Sequence, residues 1–266
     1  MLDNYKRNIN YLRISVTDRC NLRCTYCMPE EGIELLNHKD VLTFDEIVEV
    51  VKTGVEYGID KVRITGGEPL VRKGIIDLIS IIWNLEGVKD LSMTTNGILL
   101  EKFANDLKKA GLQRVNISLD TLNPQKFKKV TRGGDVEQVF KGIEAAKKAG
   151  LYPIKINCVV WKSSDEEDAQ EVAKYCKEND LQVRFIHQMN LKTGEFSVVE
   201  GGDGGNCSTC NRLRLTANGN IKPCLFSDLM YNVRELGVEE AFKQALGNKP
   251  KAGTCNMSGD FYNIGG

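Results

Sequence analysis

Cys20-x3-Cys24-x2-Cys27 and Cys207-x2-Cys210-x13-Cys224 account for six of the nine cysteines in this chain of 266 residues. Thiolates gathered at such spacings hold iron–sulfur clusters or zinc. The number three is informative. Structural zinc closes on four ligands, usually from paired C-x2-C units. A cubane cluster held by three thiolates instead keeps one iron corner open to a small molecule. The first triplet therefore reads as a cluster loop, with zinc as the competitor. Tyr26, just before Cys27, can lie beside a bound nucleobase. The second triplet leaves three readings open: a cluster, a zinc-ribbon half-site, or a three-cysteine hairpin completed by Cys255. Two open cluster sites in one chain describe a redox enzyme that binds a ligand at each.

The elements that must position these residues follow a β-α alternation. Strand-length apolar runs at Leu12–Val16, Lys61–Thr65, Leu91–Thr94, Arg114–Leu119, Ile154–Val160 and Gln182–Ile186 are separated by amphipathic segments. Thr43 to Gly58 opens with a Thr43-x-x-Glu46 capping box and places Ile47, Val50, Val51 and Val55 on one face. Glu101–Ala110 and Val136–Ala149 stop at Gly111 and Gly150, and Ser164–Asn179 completes the series. Six such units predict an α/β fold, a parallel sheet with helices outside. The cysteine loop and the Gly66-Gly67 turn follow strand ends, which favours a partial (β/α)6 barrel over an open doubly wound sheet. From about residue 190 the pattern changes to a Gly-rich stretch and short elements around a hairpin turn at Asn218-Gly219. The expected division is a barrel over residues 1–189 and a small C-terminal cluster-binding extension over residues 190–266.

Composition narrows the class. The chain is 41% hydrophobic, and Lys+Arg and Asp+Glu both number 36, for a formal net charge of zero. That balance argues against nucleic-acid or membrane-surface partners but permits a local basic pocket. The opening ten residues lack an apolar signal core, and the most apolar stretch, Ile75 to Trp83, is too short to span a bilayer. Nine cysteines without an export signal point to the reducing cytoplasm.

The C-x3-C-x-aromatic-C loop after a first strand resembles the radical S-adenosylmethionine (SAM) superfamily. That resemblance implies a [4Fe-4S] cluster on Cys20, Cys24 and Cys27, and electron transfer that cleaves SAM to a 5′-deoxyadenosyl radical. Gly66-Gly67-Glu68-Pro69, at the end of the second strand, then matches the GGEP motif that holds the SAM amino group. Glycine permits close backbone approach, and a carboxylate pairs with an ammonium. Tyr26, Thr94, Thr95, Asn96, Ser118 and Met189 match stretches that line the family's SAM pocket.

Cys207, Cys210 and Cys224, with Arg212-x-Arg214 between them, are similar to the GTP 3′,8-cyclase (MoaA) family of molybdenum cofactor biosynthesis. There three cysteines carry a second [4Fe-4S] cluster whose open iron binds guanine. The resemblance makes Arg13, Lys61, Arg63, Lys155, Arg184, Arg212 and Arg214 contacts for the triphosphate and substrate, with Arg212 and Arg214 standing beside the cysteines as catalytic residues. Cations converging on one mouth in a neutral protein call for an anion, and a nucleoside triphosphate fits. The implied reaction removes H3′ of GTP and joins C3′ to C8 of guanine, giving 3′,8-cyclo-7,8-dihydro-GTP. Implied partners are GTP or a related purine nucleotide, a reductant such as flavodoxin or ferredoxin, and a downstream pterin-forming enzyme; a homodimer is compatible. One alternative keeps the radical chemistry and acts on a peptide or another small molecule. A different class of protein, a metal-stabilised binding module without turnover, is the other.

Three departures accompany the resemblance. The linker from Met189 to Cys207 is short. His187 stands where the family usually has an acidic residue, and reads as a core side chain in preference to a proton donor. Cys255 reads as a free buried thiol, and Cys158 and Cys176 as core. His38 is a loop residue without a role. The terminal Ile264-Gly265-Gly266 resembles the family's Gly-Gly tail, which enters the active site.

Overall fold

The computed structural model describes residues 1–258 and Ile264. Six strands and six helices run in order: β1 (Tyr11–Ser15), α1 (Phe44–Glu56), β2 (Lys61–Thr65), α2 (Ile75–Trp83), β3 (Asp90–Thr95), α3 (Leu100–Lys109), β4 (Arg114–Ser118), α4 (Pro124–Thr131), α5 (Val136–Ala149), β5 (Lys155–Val160), α6 (Glu167–Glu178) and β6 (Gln182–His187). After them come β7 (Arg212–Leu215), β8 (Asn220–Lys222), β9 (Tyr231–Asn232), α7 (Val233–Leu236) and α8 (Val238–Gly247). They form one nine-stranded sheet in the order β6-β5-β4-β3-β2-β1-β7-β8-β9. The first six strands keep their sequence order and pair in parallel. That order has no reversal point of the doubly wound kind. β6 and β9 remain edges, so the barrel is open.

Alternation along the strands builds both surfaces of this sheet. Leu12, Ile14, Val62, Ile64, Leu91, Met93, Val115, Ile117, Ile156 and Cys158 are buried in the main core cluster with helix residues such as Ile47, Val51, Ile79 and Ile143. Each such aliphatic side chain contributes about 1.5–3 kcal/mol on burial. The intervening residues Arg13, Ser15, Arg63, Thr65, Ser92, Thr94, Asn116, Ser118, Lys155 and Asn157 therefore share the opposite face, and most are charged or polar. A polar concave face is the condition for a site inside the barrel.

The capping box at Thr43 and Glu46 is formed on both sides, and Gly150 closes α5 with φ +74. Two helices were missed in the sequence. Asn123 caps α4 by accepting from the N–H groups of Gln125 and Lys126 ahead of Pro124, a start signal the residues do carry. α2 starts at Gly74 without a side-chain cap and is apolar on most sides, so periodicity alone does not reveal it.

The segment after residue 190 continues the same sheet. β7 pairs in parallel with β1, and the turn at Asn218-Gly219 returns the chain antiparallel as β8, with Gly219 at φ +89. Between β6 and β7 the linker folds against the open edge. Phe185 and Glu200 exchange backbone hydrogen bonds, both of 3.1 Å, and Arg212 Nη2 donates to Asp203 O at 3.0 Å. Among the described residues no helix is long and apolar enough to cross a membrane.

Candidate active site in the open barrel

The loop after β1 carries Cys20, Cys24 and Cys27 and is held on two sides. Thr25 N–H donates to Val130 O at 2.9 Å, and Arg132 Nη1 donates to the carbonyls of Arg23 and Met28 at 3.0 and 2.9 Å. On the other side Gly67 N–H donates to Thr17 O at 2.7 Å and Glu68 N–H to Arg19 O at 2.8 Å. A Cβ at Gly67 would stand 2.4 Å from Arg19 O, and one at Gly66 would stand 2.8 Å from Thr17 O. The two glycines thus let the turn after β2 lie directly on the cysteine loop.

All three thiols line a cavity of about 210 Å³ at the carboxyl ends of the strands. Tyr26, Gly66, Gly67, Thr94, Thr95, Asn96, Ser118 and Met189 line it too, so eight of the residues expected at a cofactor pocket share one wall with the cysteines. Residues not singled out in the sequence complete it: Leu22, Met28, Thr65, Asn157, Val159, Ile186 and Gln188. Those from β5 and β6 lie on the inward face by alternation, a signal the sequence carried without a motif to mark it.

Burial, reinforced by Asp120 and then Cys20, pushes the Cys24 thiol up to about 12. Burial, then Cys24 and Cys20, does the same to Cys27; Cys20 is raised by burial and by Glu68. Three thiols crowded in a pocket of low dielectric resist ionising unless a cationic group binds all of them. Among the described residues no three Cys, His, Asp or Glu side chains gather as a single ion requires. The donor set, three thiols lining one cavity, fits an iron–sulfur cluster.

Glu68 corrects one expectation. It is fully buried and absent from the cavity wall. Its Oε1 accepts from Thr95 Oγ1 at 2.8 Å and Leu70 N–H at 3.1 Å, and its Oε2 from Asn96 N–H at 2.7 Å. Burial pushes the carboxyl up to about 7 against these bonds. In this geometry the carboxylate braces the end of β3, rather than facing an ammonium in the cavity.

His187 is corrected as well. It lines the cavity and its Nε2 lies 3.0 Å from Glu200 Oε1, while Ser164 Oγ donates to Glu200 Oε2 at 2.6 Å. Glu200 therefore ties the linker to both the end of β6 and the loop before α6, and His187 is a rim residue, not core.

Below the cavity the inward face is basic. Arg13 is flanked in register by Arg63 on β2 and Arg214 on β7. Lys155 lies opposite Asn116, itself opposite Thr94, and Arg184 lies opposite Asn157. Arg63 is lowered to about 10, first by burial and then by Arg13, Arg114 and Arg184 against the opposing pull of Tyr11. Arg214 falls to about 9 through burial, Arg13 and Arg212. Lys155 is lowered by burial, Arg184 and Arg114. Arg114, not foreseen, belongs to the set and is paired with Asp90, Nη2 to Oδ2 at 2.9 Å. Lys61 is exposed at the start of β2. Nε of Arg184 and of Arg212, Nζ of Lys222 and both amide atoms of Asn116 are buried without a partner among the described residues. Buried donors left unmade are costly, and this concentration of cations and open donors suits a polyanion.

Beside β7 two thiols of the second triplet, Cys210 and Cys224, lie near the buried ammonium of Lys249. Lys249 Nζ donates to Arg212 O at 2.8 Å and Pro223 O at 2.5 Å, and its charge acts on the Cys210 thiol. Burial raises Cys210, but Lys249, the Arg212 N–H and the two arginines outweigh it and the thiol is lowered. Cys224 is raised by burial. Arg7 Nη1 donates to Cys207 O at 2.8 Å. Lys249 and Arg7 carry no motif and were not singled out. Cys255 is a half-buried free thiol, rather than a buried one, while Cys158 and Cys176 are buried. Its segment nevertheless runs past the triplet: a Cβ at Gly253 would lie 3.3 Å from Cys224 Sγ. Ile264 packs with Leu191, Leu225 and Phe226. Gly265 and Gly266 lie outside the described residues.

Residues 14–176 match the Radical SAM superfamily profile and residues 160–254 the Molybdenum Cofactor Synthesis C profile. A GTP 3′,8-cyclase of Thermodesulfovibrio yellowstonii is 44% identical over 282 residues, covering 89% of this chain and 88% of that protein. One from Peptoclostridium acidaminophilum is 41% identical over 319 residues, covering 100% of this chain and 98% of its own. An alignment of 319 positions against 266 residues means that this relative holds a long stretch that the present chain lacks. Among solved structures, Streptococcus suis SuiB bound to precursor peptide SuiA superposes with TM-score 0.66 at 17% identity, over 91% of this chain and 65% of that one. The structure titled anSMEcpe with bound AdoMet gives TM-score 0.64 at 19% identity, over 90% and 78%. These two likenesses concern the fold.

Proposed function

This chain belongs to the radical SAM superfamily, and to the family of the GTP 3′,8-cyclases that it matches; from that premise we propose that it cyclises GTP to 3′,8-cyclo-7,8-dihydro-GTP in molybdenum cofactor biosynthesis. The observation that carries the reading is the stacking of two sites in one barrel. A thiol-lined cavity closes the carboxyl ends of the strands, and a buried basic face lies directly beneath it, reaching the second cysteine group through Arg212 and Arg214.

Cys20, Cys24 and Cys27 would hold the [4Fe-4S] cluster of the superfamily, which when bound supplies the electron that splits SAM into methionine and a 5′-deoxyadenosyl radical. The protein's own residues bind, orient and exclude water. Thr94 and Ser118 bring hydroxyl groups and Asn96 its amide to the cavity wall for the amino-acid and ribose parts of SAM, while Thr95 lines the wall with its hydroxyl engaged by Glu68. Tyr26 and Met189 offer apolar surface to adenine. Arg13, Arg63, Lys155, Arg184 and Arg214 receive the triphosphate, with Lys61 at the open end. Held from below by its phosphates, the ribose of GTP comes to the floor of the SAM cavity, which is the positioning that hydrogen removal demands. We assign Cys207, Cys210 and Cys224 to a second [4Fe-4S] cluster and Arg212 to the guanine beside it. A low-potential cytoplasmic reductant of the flavodoxin or ferredoxin kind and a downstream pterin-forming enzyme complete the scheme.

The test is reaction of the reconstituted protein with SAM, GTP and dithionite. The expected products are 5′-deoxyadenosine and a cyclised guanosine triphosphate in equal amounts. Deoxyadenosine without a cyclised nucleotide would overturn the substrate assignment and favour a peptide or another small molecule.

A further inference from the structure

The buried face holds its guanidinium groups together before any anion arrives, and Coulomb repulsion in low dielectric opposes that. The nearby acids are few. Asp90 is engaged by Arg114, and Asp203 lies out on the linker, where its carbonyl meets Arg212. Tyr11 occupies the centre. It stands directly opposite Arg212 on β7 and Lys61 on β2, and Arg13 and Arg63 are each two residues further along their strands. By alternation these side chains share one face. Arg13 Cζ lies 5.6 Å and Arg63 Cζ 5.4 Å from the centre of the Tyr11 ring. The Tyr11 hydroxyl oxygen also accepts from Arg13 Nε at 3.2 Å.

We propose that Tyr11 is a positioning residue for polyphosphate: its ring and hydroxyl hold Arg13 and Arg63 converged, with their charge intact, for the phosphate chain of the substrate. The inference rests on the reading of this face as the triphosphate site. The chemistry explains the choice of residue. A carboxylate would gather the arginines but neutralise them and occupy the anion's place. An aromatic face attracts cations through its quadrupole and leaves their net charge available. The effect on Tyr11 itself agrees: burial raises its hydroxyl, yet Arg13, Arg63 and Arg212 together bring it below the ordinary tyrosine value.

Calorimetric titration of the full-length protein with inorganic tripolyphosphate, GTP and SAM tests the proposal. Tyr11→Leu is expected to weaken tripolyphosphate and GTP by about tenfold with SAM affinity unchanged, and Tyr11→Phe, which keeps the ring, to weaken them by about threefold. A general folding defect would move SAM affinity as well. If Tyr11→Leu loses SAM binding, Tyr11→Phe decides: phosphate affinity equal to wild type overturns the role. Wild-type affinity in Tyr11→Leu overturns the role of Tyr11 alone. A wild-type protein that binds neither tripolyphosphate nor GTP overturns the triphosphate reading, and this inference with it.

Discussion

Tyr26 donates its hydroxyl hydrogen to Asp120 Oδ2 at 2.9 Å, and Asp120 Oδ1 accepts the Val159 N–H at 2.9 Å. One half-buried carboxylate therefore fastens the cysteine loop to the ends of β4 and β5. Burial raises Asp120 to about 6 despite both bonds. Tyr26→Phe leaves that carboxylate with one donor fewer in a partly buried site. The expected loss is about 1–3 kcal/mol of stability, measured by urea unfolding, together with weaker SAM binding by titration. An unchanged unfolding midpoint would show that this bond does not hold the loop.

Gly67→Ala tests the contact between the turn after β2 and the cysteine loop. The new methyl meets Arg19 O at 2.4 Å, a backbone atom that cannot step aside. We expect destabilisation of about 1–3 kcal/mol and impaired iron retention at the first triplet, read from iron and sulfide analysis. Retention of a full cluster with normal SAM affinity would contradict the packing argument.

On the proposed assignment the two cysteine groups are separate metal sites, so their losses should be independent. Cys24→Ala is expected to remove about four iron atoms per chain, and Cys210→Ala a different four. Lys249→Met should spare the first group and deplete the second, because its ammonium bonds two carbonyls of that site and its charge lowers the Cys210 thiol. Iron content and the electron paramagnetic resonance signal of each reduced cluster report this. Equal depletion of both signals by Lys249→Met would count against it.

Glu46 links acid stability to the capping box. Its bond to Arg234 and the bonds from Thr43, working against burial, hold the carboxyl down at about 2 from its ordinary 4.5. The folded state thus binds its proton less readily than the unfolded chain. The stabilisation is present above pH 4.5 and is lost as pH falls through the range from 4.5 to 2. Glu46→Gln should flatten this part of the curve of unfolding free energy against pH, while remaining less stable near neutrality. Parallel curves for the two proteins would refute the assignment.

Much of the scaffold was legible because alternation and caps are local. The six strands of the barrel lie where the apolar runs place them, and Thr43, Gly150 and Gly219 act as their types suggest. Helix α2 escaped notice because Gly74 offers no side-chain cap. His187 was misjudged for a different reason. Its partner Glu200 lies on the linker, and no local pattern says that the linker folds back onto the edge of β6.

Residue type and spacing by themselves marked the first thiol group as a cluster loop, with zinc as its competitor. Three thiols within eight residues can meet one group in almost any loop, so Cys20, Cys24 and Cys27 announce a cluster without a fold. Which faces share a volume was decided by tertiary structure. Strand pairing between β1 and β7, 201 residues apart in sequence, places Arg214 beside Arg13, and pairing with β2 brings Arg63 to the Tyr11 ring that Arg13 also meets. Likewise Glu68 is a bracing residue only because Thr95 and Asn96 arrive from the next strand. Such roles depend on register and burial, which arise from packing the whole sheet and are absent from any short stretch of the chain.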